Sequence, residues 1–311
     1  MTGACREGGK DNADDMPASE NAPPARDHAK ISLVIATRGR REELDRCLAS
    51  LRAQTLRPHE IVIVDQNPSG WLDMVVASHT EALPLRHLTR PPRGASFARN
   101  QGLAAATGDW VGFPDDDCWA TPDWLRLVAD VLAGPDAPDA LCVPLHDEKD
   151  LPLVLRWPRR ATPITRRNVW QSCLMAGFFA RRALLSDCGG LAENIGVGSV
   201  DGLGSGEETD LALRLIASGA RVEFRPVAGL RHPARPPFGD LAGRAESYGR
   251  GFGYVWTRHA LSTAGFYYYC LRAALGGLRA RLSGDQGGAR YYGASLHGRL
   301  AGRRLALKER A

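Results

Sequence analysis

From residue 31 onward the chain alternates short apolar runs with amphipathic stretches. Ile31-Ser32-Leu33-Val34-Ile35-Ala36 is a run of strand length. After the turn Thr37-Arg38-Gly39-Arg40, leucines recur at 44, 48 and 51, the i, i+4, i+7 spacing of one helix face. Glu60-Ile61-Val62-Ile63-Val64-Asp65 is β-branched, the signature of a parallel strand buried on both faces, and it ends in an acid. Leu85 to Leu88 predicts a weaker strand. Ser96 to Ala106 predicts a helix of small residues, followed by the strand Trp110-Val111-Gly112-Phe113. Thr121-Pro122 has the form of an N-cap and first-turn pair opening a helix through Trp124, Leu125 and Val128. Leu141-Cys142-Val143 and Val222 to Phe224 read as further strands. This alternation predicts an α/β fold with a mainly parallel sheet flanked by helices. In such sheets ligands bind beyond the carboxyl ends of the strands. Thr37, Asp65 and Asp115 to Asp117 all fall at such ends.

Composition changes the picture mainly at the two termini. Residues 1–29 are polar and lack periodicity, so a disordered leader is expected there, followed by one α/β domain over 30–240. Residues 241–311 form a basic helical extension. From Arg244 to Ala311 there are twelve Lys/Arg against three Asp/Glu, a local balance of +9 within a chain of net charge +5. Such a block suits phosphates or an anionic membrane surface, or is simply a solvated helical face. The seven cysteines are scattered without CxxC spacing, which favours reduced thiols in a cytosolic setting over disulfides or zinc. The N-terminus has no apolar core of a signal peptide, and no stretch approaches ~18 uninterrupted apolar residues. A cytoplasmic protein is expected, with peripheral contact at the inner membrane face as an option.

Three adjacent carboxylates, Asp115-Asp116-Asp117, directly follow a buried strand. Their mutual repulsion is costly unless a cation sits among them, and oxygen ligands suit Mg²⁺ or Mn²⁺. Thr37 offers a hydroxyl and Arg38 a guanidinium at the first strand end. Asp65 can accept from a base N–H or a ribose hydroxyl. In Arg93 to Asn100, a glycine precedes a helix N-terminus, and Arg99 is placed to approach a diphosphate; its alternative is a surface arginine. Glu207, Glu208 and Asp210 open another helix. There the dipole alone favours acids, and Ser205 with Glu208 has capping-box spacing. Otherwise one of these carboxylates is a general base on a glycine-flanked loop. His232 is either a turn residue or a metal ligand beside carboxylates.

Taken in order, ISLVIATRGR, EIVIVDQ, GASFARNQGLAAATGDWVGFPDDDC, GEETDLALRL and RHP resemble the family 2 glycosyltransferases. These are inverting enzymes of the GT-A fold that use nucleotide-diphosphate sugars. The resemblance covers roughly residues 31–232. It implies that Thr37, Arg38, Asp65, Arg99 and Asp116 bind the nucleotide-sugar, and that Asp115 and Asp117 form the metal-binding DxD with His232 beside them. It also implies that Glu208 is the base. The family usually has aspartate there, so Glu207 and Asp210 remain alternatives. The implied partners are a nucleotide-diphosphate sugar donor and a glycan or lipid-linked acceptor, in cell-envelope polysaccharide biosynthesis. Residues 266–282 combine aromatics, leucines and arginines, so 260–311 is read either as a membrane-interface element or as core-packing helices. A non-catalytic nucleotide-sugar-binding protein of the same fold is the alternative function. Nucleic acid is not an expected partner, because no stacking platform accompanies the arginines. The ATRGRRE turn lacks the spaced glycines of a dinucleotide fingerprint.

Overall fold

The computed structural model describes residues 29–153, 157–234 and 242–310. The expected leader therefore lies outside the described residues, apart from Ala29, and so does the expected domain boundary at 240/241. The central sheet begins as anticipated. β1 (Ile31–Thr37) pairs in parallel with β2 (Glu60–Asp65), and β2 with β3 (Leu85–Thr89). β4 (Trp110–Gly112) joins the other side of β1, again in parallel. Every residue of β2 is buried because helices cover both faces of the sheet. Val34, Val62 and Val64 face one apolar core, while Leu33, Ile35, Ile61 and Ile63 face the other. On the second side lies α1 (Arg41–Arg52), which buries Leu44, Leu48 and Leu51 as their spacing requires.

Beyond β4 the sheet departs from a purely parallel pattern. β9 (Phe178–Arg181) runs antiparallel between β4 and β6 (Ala140–Cys142). β6 then pairs in parallel with β10 (Val222–Phe224), which carries the antiparallel edge strand β8 (Thr162–Pro163). A small second sheet consists of β5 (Trp119–Ala120), β11 (Leu230–Arg231) and β7 (Leu145–His146), in the order β5-β11-β7.

Two expected caps are absent. α4 starts at Trp124, not after Thr121, and runs to Leu132. The backbone of Thr121 instead continues the pairing of the second sheet, its amide donating to the Gly229 carbonyl, and Asp123 takes the N-cap position. Likewise Ser205 does not cap α7 (Glu207–Ala217). The N-cap is Gly206 at φ 98, and the Ser205 hydroxyl donates to the Tyr248 carbonyl at 2.9 Å.

The C-terminal region is three helices: α8 (Ala242–Arg258), α9 (Thr263–Leu282) and α10 (Gln286–Lys308). α8 and α10 touch backbone to backbone. A Cβ on Gly249 or Gly253 would strike the carbonyl oxygens of Ser295 and Arg299, and one on Gly298 or Gly302 those of Glu246 and Arg250. Both helices thus carry glycines four apart on the contact face, where any side chain would force them apart. This accounts for the Tyr248-Gly249-Arg250-Gly251-Phe252-Gly253 segment. Gly251 faces the other way, against the Ser205 carbonyl oxygen, so α8 also presses on the turn that opens α7.

Gly302→Ala is expected to destabilise the chain by about 1–3 kcal/mol, because the obstructing atoms are backbone and cannot rotate aside. Gly293→Ala, a change on the same helix with nothing within 4 Å, serves as the control in a denaturant titration.

Candidate active site

The sheet register brings the sequence candidates to one rim. Thr37 and Asp65 are direct neighbours across β1 and β2. Leu33 pairs with Gly112, so the chain leaving β4 carries Asp115 to Asp117 past the end of β1. His232 arrives from the second sheet: β11 pairs antiparallel with β5, Arg231 opposite Trp119, which sets the next residue beside the triplet. α3 (Ala95–Ala105) supplies Arg99, and the first turn of α7 supplies Glu207 and Glu208.

Arg99 binds these parts together. Its side chain is buried, with Nη2 donating to Asp115 Oδ1 at 2.7 Å and Nη1 to Glu207 Oε1 at 3.1 Å. A desolvated guanidinium costs several kcal/mol unless it is paired in this way. Burial works against its charge, but the two carboxylates outweigh it and raise its affinity for the proton. Glu208 is next to this pair but is not neutralised by it. Burial first, and then the Glu207 carboxylate, push it up to about 8.

The triplet has a second cation, one not singled out in the sequence. Arg40 Nη1 lies 2.8 Å from Asp116 Oδ1 and 2.5 Å from Asp117 Oδ2, whereas Arg38 is exposed. The TRGR turn offered two arginines, and nothing local distinguished the one that folds back. Burial pushes Asp116 up to about 6, against the opposing pull of Arg40. Asp117 Oδ1 is buried with no hydrogen-bond partner among the described residues, and the buried Thr37 hydroxyl lies against Asp116 and favours its ionised form.

Donor and acceptor roles around His232 are one-sided. Its Nδ1 lies 2.8 Å from the Pro233 carbonyl, which only accepts, so Nδ1 carries a proton. In the neutral ring Nε2 then presents a lone pair to Asp117 Oδ1, 3.3 Å away, itself an acceptor without a donor. Two facing acceptors are stable only with a positive charge between them, either a second proton on the ring or a metal ion. Asp115, Asp117 and Cys118 have potential ligand atoms within 4.8 Å of one another. Burial raises the Cys118 thiol well above its usual range, and soft sulfur is a poor match for the hard ions that carboxylates select. Carboxylates with one imidazole are a donor set that fits Mg²⁺ or Mn²⁺.

Other candidates are placed differently from expectation. Asp65 is already engaged: Oδ1 accepts from the amide and side chain of Asn67, both at 2.8 Å, and Oδ2 lies 3.0 Å from His87 Nε2. The N-terminus of α3 is not an open anion site, because Val197 and Ile195 carbonyls take up the Ala95 amide and the Ser96 hydroxyl. Asp210 is fully buried, with both carboxylate oxygens already paired. Its Oδ2 accepts from Arg214 and its Oδ1 lies 2.8 Å from Nε2 of His259, the residue that follows α8. His259 lies 49 residues downstream and carried no sequence signal linking it to Asp210.

Comparison with known proteins accounts for this assembly of parts. Residues 32–183 match the family described as glycosyl transferase family 2. The chain is thus similar to the family 2 glycosyltransferases over just under half of its length. It is 28% identical over 264 residues to the pre-mycofactocin glycosyltransferase of Mycobacterium tuberculosis, covering 79% of this chain and 52% of that protein. It therefore spans about half the length of that relative. The glucosyl-dolichyl phosphate glucuronosyltransferase of Haloferax volcanii is 33% identical over 117 residues, 37% of each chain. Among solved structures, S. aureus TarS 1-349 superposes with a TM-score of 0.56 at 19% identity, over 76% of this chain and 68% of TarS. The complex of the same TarS fragment with UDP-GlcNAc gives 0.55 at 16% identity, over 88% and 92%. These likenesses identify the glycosyltransferase domain as GT-A-like in fold.

Asp210→Asn is expected to cost about 3 kcal/mol, since it leaves Arg214 and His259 facing a neutral amide. Burial raises the affinity of Asp210 for a proton, but His259 and Arg214 outweigh it and hold the folded value below normal. The stability it supplies is therefore complete above the ordinary aspartate pKa of about 3.9. It is lost as pH falls through the lower folded value. Urea titrations at stepped acidic pH should show this dependence in the parent chain and its absence in Asp210→Asn.

Proposed function

We propose that the chain transfers a sugar from a nucleotide-diphosphate donor to a hydroxyl acceptor with inversion at the anomeric carbon. The observation that carries this reading is the Arg99 clamp, which holds the DxD-type aspartate Asp115 and the acid-bearing turn of α7 within one side chain of each other. A donor diphosphate and an acceptor base belong at those two places.

Asp115, Asp117 and His232 would hold Mg²⁺ or Mn²⁺, which when bound supplies Lewis-acid stabilisation of charge on the departing diphosphate. Arg40 and Arg99 are the cations this chain itself brings to that charge, in a partly desolvated site where they act strongly. Thr37 offers a buried hydroxyl beside Asp116 at the same rim. Glu208, as carboxylate, takes the proton of the acceptor hydroxyl. The oxygen then bonds to the anomeric carbon from the face opposite the leaving group, and the bond to the diphosphate breaks with its electron pair leaving on the nucleotide. Glu207 is paired to Arg99 and holds that turn in place, which leaves Glu208 as the base.

The acceptor is a hydroxyl of a glycan or a lipid-linked saccharide at the cytoplasmic face of a membrane, in cell-envelope polysaccharide synthesis. The Haloferax volcanii relative, named for a dolichyl-phosphate-linked sugar, supports a lipid-linked acceptor. No helix among the described residues is long and apolar enough to cross a membrane, so the 260–311 region would make peripheral contact only.

Calorimetry with a panel of nucleotide-diphosphate sugars, each with Mn²⁺, Mg²⁺ or EDTA, tests the donor site. One donor should bind in a metal-dependent way, and Asp117→Ala should weaken that binding at least about tenfold. Full metal-dependent affinity in that variant would remove the metal site. Glu208→Gln should keep donor binding and lose transfer. In the parent chain the rate should rise with pH through about 8, as Glu208 loses its proton. Donor binding without turnover on any acceptor would favour a non-catalytic nucleotide-sugar-binding protein.

A further inference from the structure

α9 carries its polarity the wrong way round. Its inner face packs Phe266, Cys270, Ala273 and Ala280 against the neighbouring helices. Its outer face, where a surface helix is ordinarily polar, holds Tyr267, Tyr268, Leu271, Leu275, Leu278 and Leu282, all more than half exposed. At 3.6 residues per turn Leu271 and Leu282 lie along the centre of that face, with Tyr267 and Leu278 on one side and Tyr268 and Leu275 on the other. Exposed arginines border the stripe, Arg272 and Arg279 along one edge and Arg281 along the other. α9 contains no acid, and the nearest one downstream, Asp285, caps α10 by accepting from the Gly288 amide.

We infer that the outer face of α9 docks on an anionic lipid bilayer, with its leucines and tyrosines at the acyl boundary and its arginines among the headgroups. An apolar stripe edged by arginines matches the interfacial helix in both area and charge. A second copy of the chain fits less well, because a two-fold contact would bring arginine-edged stripes together with no acid on α9 to meet them. The placement also matters for the site. Phe266 of α9 stacks on Phe252 and Tyr269 meets it edge-on, Phe252 tilts against Trp170, and Trp170 lies against Gly206 beside Glu207. A short run of packed rings links α9 to the turn that carries the acids, so a lipid-linked acceptor would be met where it is held.

Co-sedimentation of the full chain with vesicles tests this. It should pellet with phosphatidylcholine mixed with an equal part of phosphatidylglycerol, and remain in solution with phosphatidylcholine alone. The double variant Leu271→Glu/Leu278→Glu should reduce partitioning at least about tenfold. Arg272→Gln and Arg279→Gln should each reduce it about fivefold. Equal partitioning of the leucine variant would overturn the inference, as would binding to both vesicle types alike. Absence of vesicle binding with a concentration-dependent dimer that the leucine variant abolishes would assign the face to a second copy instead. Donor calorimetry on the same variants should be unchanged, so failure here leaves the transferase reading standing, and failure of donor binding leaves this one standing.

Discussion

The pairing of buried Arg99 with Asp115 and Glu207 is the constraint on which the rest of the site depends. Asp115 comes from the end of β4 and Glu207 from the start of α7, more than ninety residues apart in the sequence. Without a cation between them, two carboxylates and the neighbouring Glu208 would repel one another at short range in a partly desolvated rim. With it, three elements converge, and the remaining charges are sorted by environment. Asp116 and Asp117 lean on Arg40, while Glu208 has no direct cation and becomes the most weakly acidic carboxyl of the rim. Two neighbouring glutamates are thereby given different chemistry by one arginine that reaches only the first.

The helical extension takes part in this arrangement from behind. Ser247 and Tyr248 of α8 bond the loop before α7 through Gly202, Gly204 and Ser205, and His259 holds Asp210 one turn into the helix. Glycine is required where this loop turns: Gly206 takes a left-handed conformation with the Val255 and Trp170 side chains against it. The position of Glu208 is therefore set by contacts on both sides, from Arg99 in the α/β domain and from α8 in the extension.

Much of the fold was legible in the sequence because its signals were dense. β1, β2 and α1 place apolar residues at nearly every position that faces a core, and the ends of those strands marked the rim. Legibility ended where elements become two or three residues long. β5, β7 and β11 have too few positions for any periodicity, so nothing in the chain foretold that a small sheet would deliver His232 to Asp117. The antiparallel insertion of β9 was equally hidden, since a fully buried strand reads alike in either direction. Thr121 and Ser205 had the composition of caps, but each found a longer-range partner. Arg40 and Arg38 could not be ranked, because the difference lies in which of them the turn folds back over the triplet.

The glycine contact between α8 and α10 changes what the chain's charge asymmetry means. The basic C-terminal region looks like an appendage when arginines are counted, yet its helices interlock at backbone distance and bear on the turn of α7. Charge thus divides the chain near residue 240, while cohesion does not. A chain cut there would lose the far wall of Gly206 and the histidine that answers Asp210, so the acid-bearing turn is walled by residues from both sides of the charge divide.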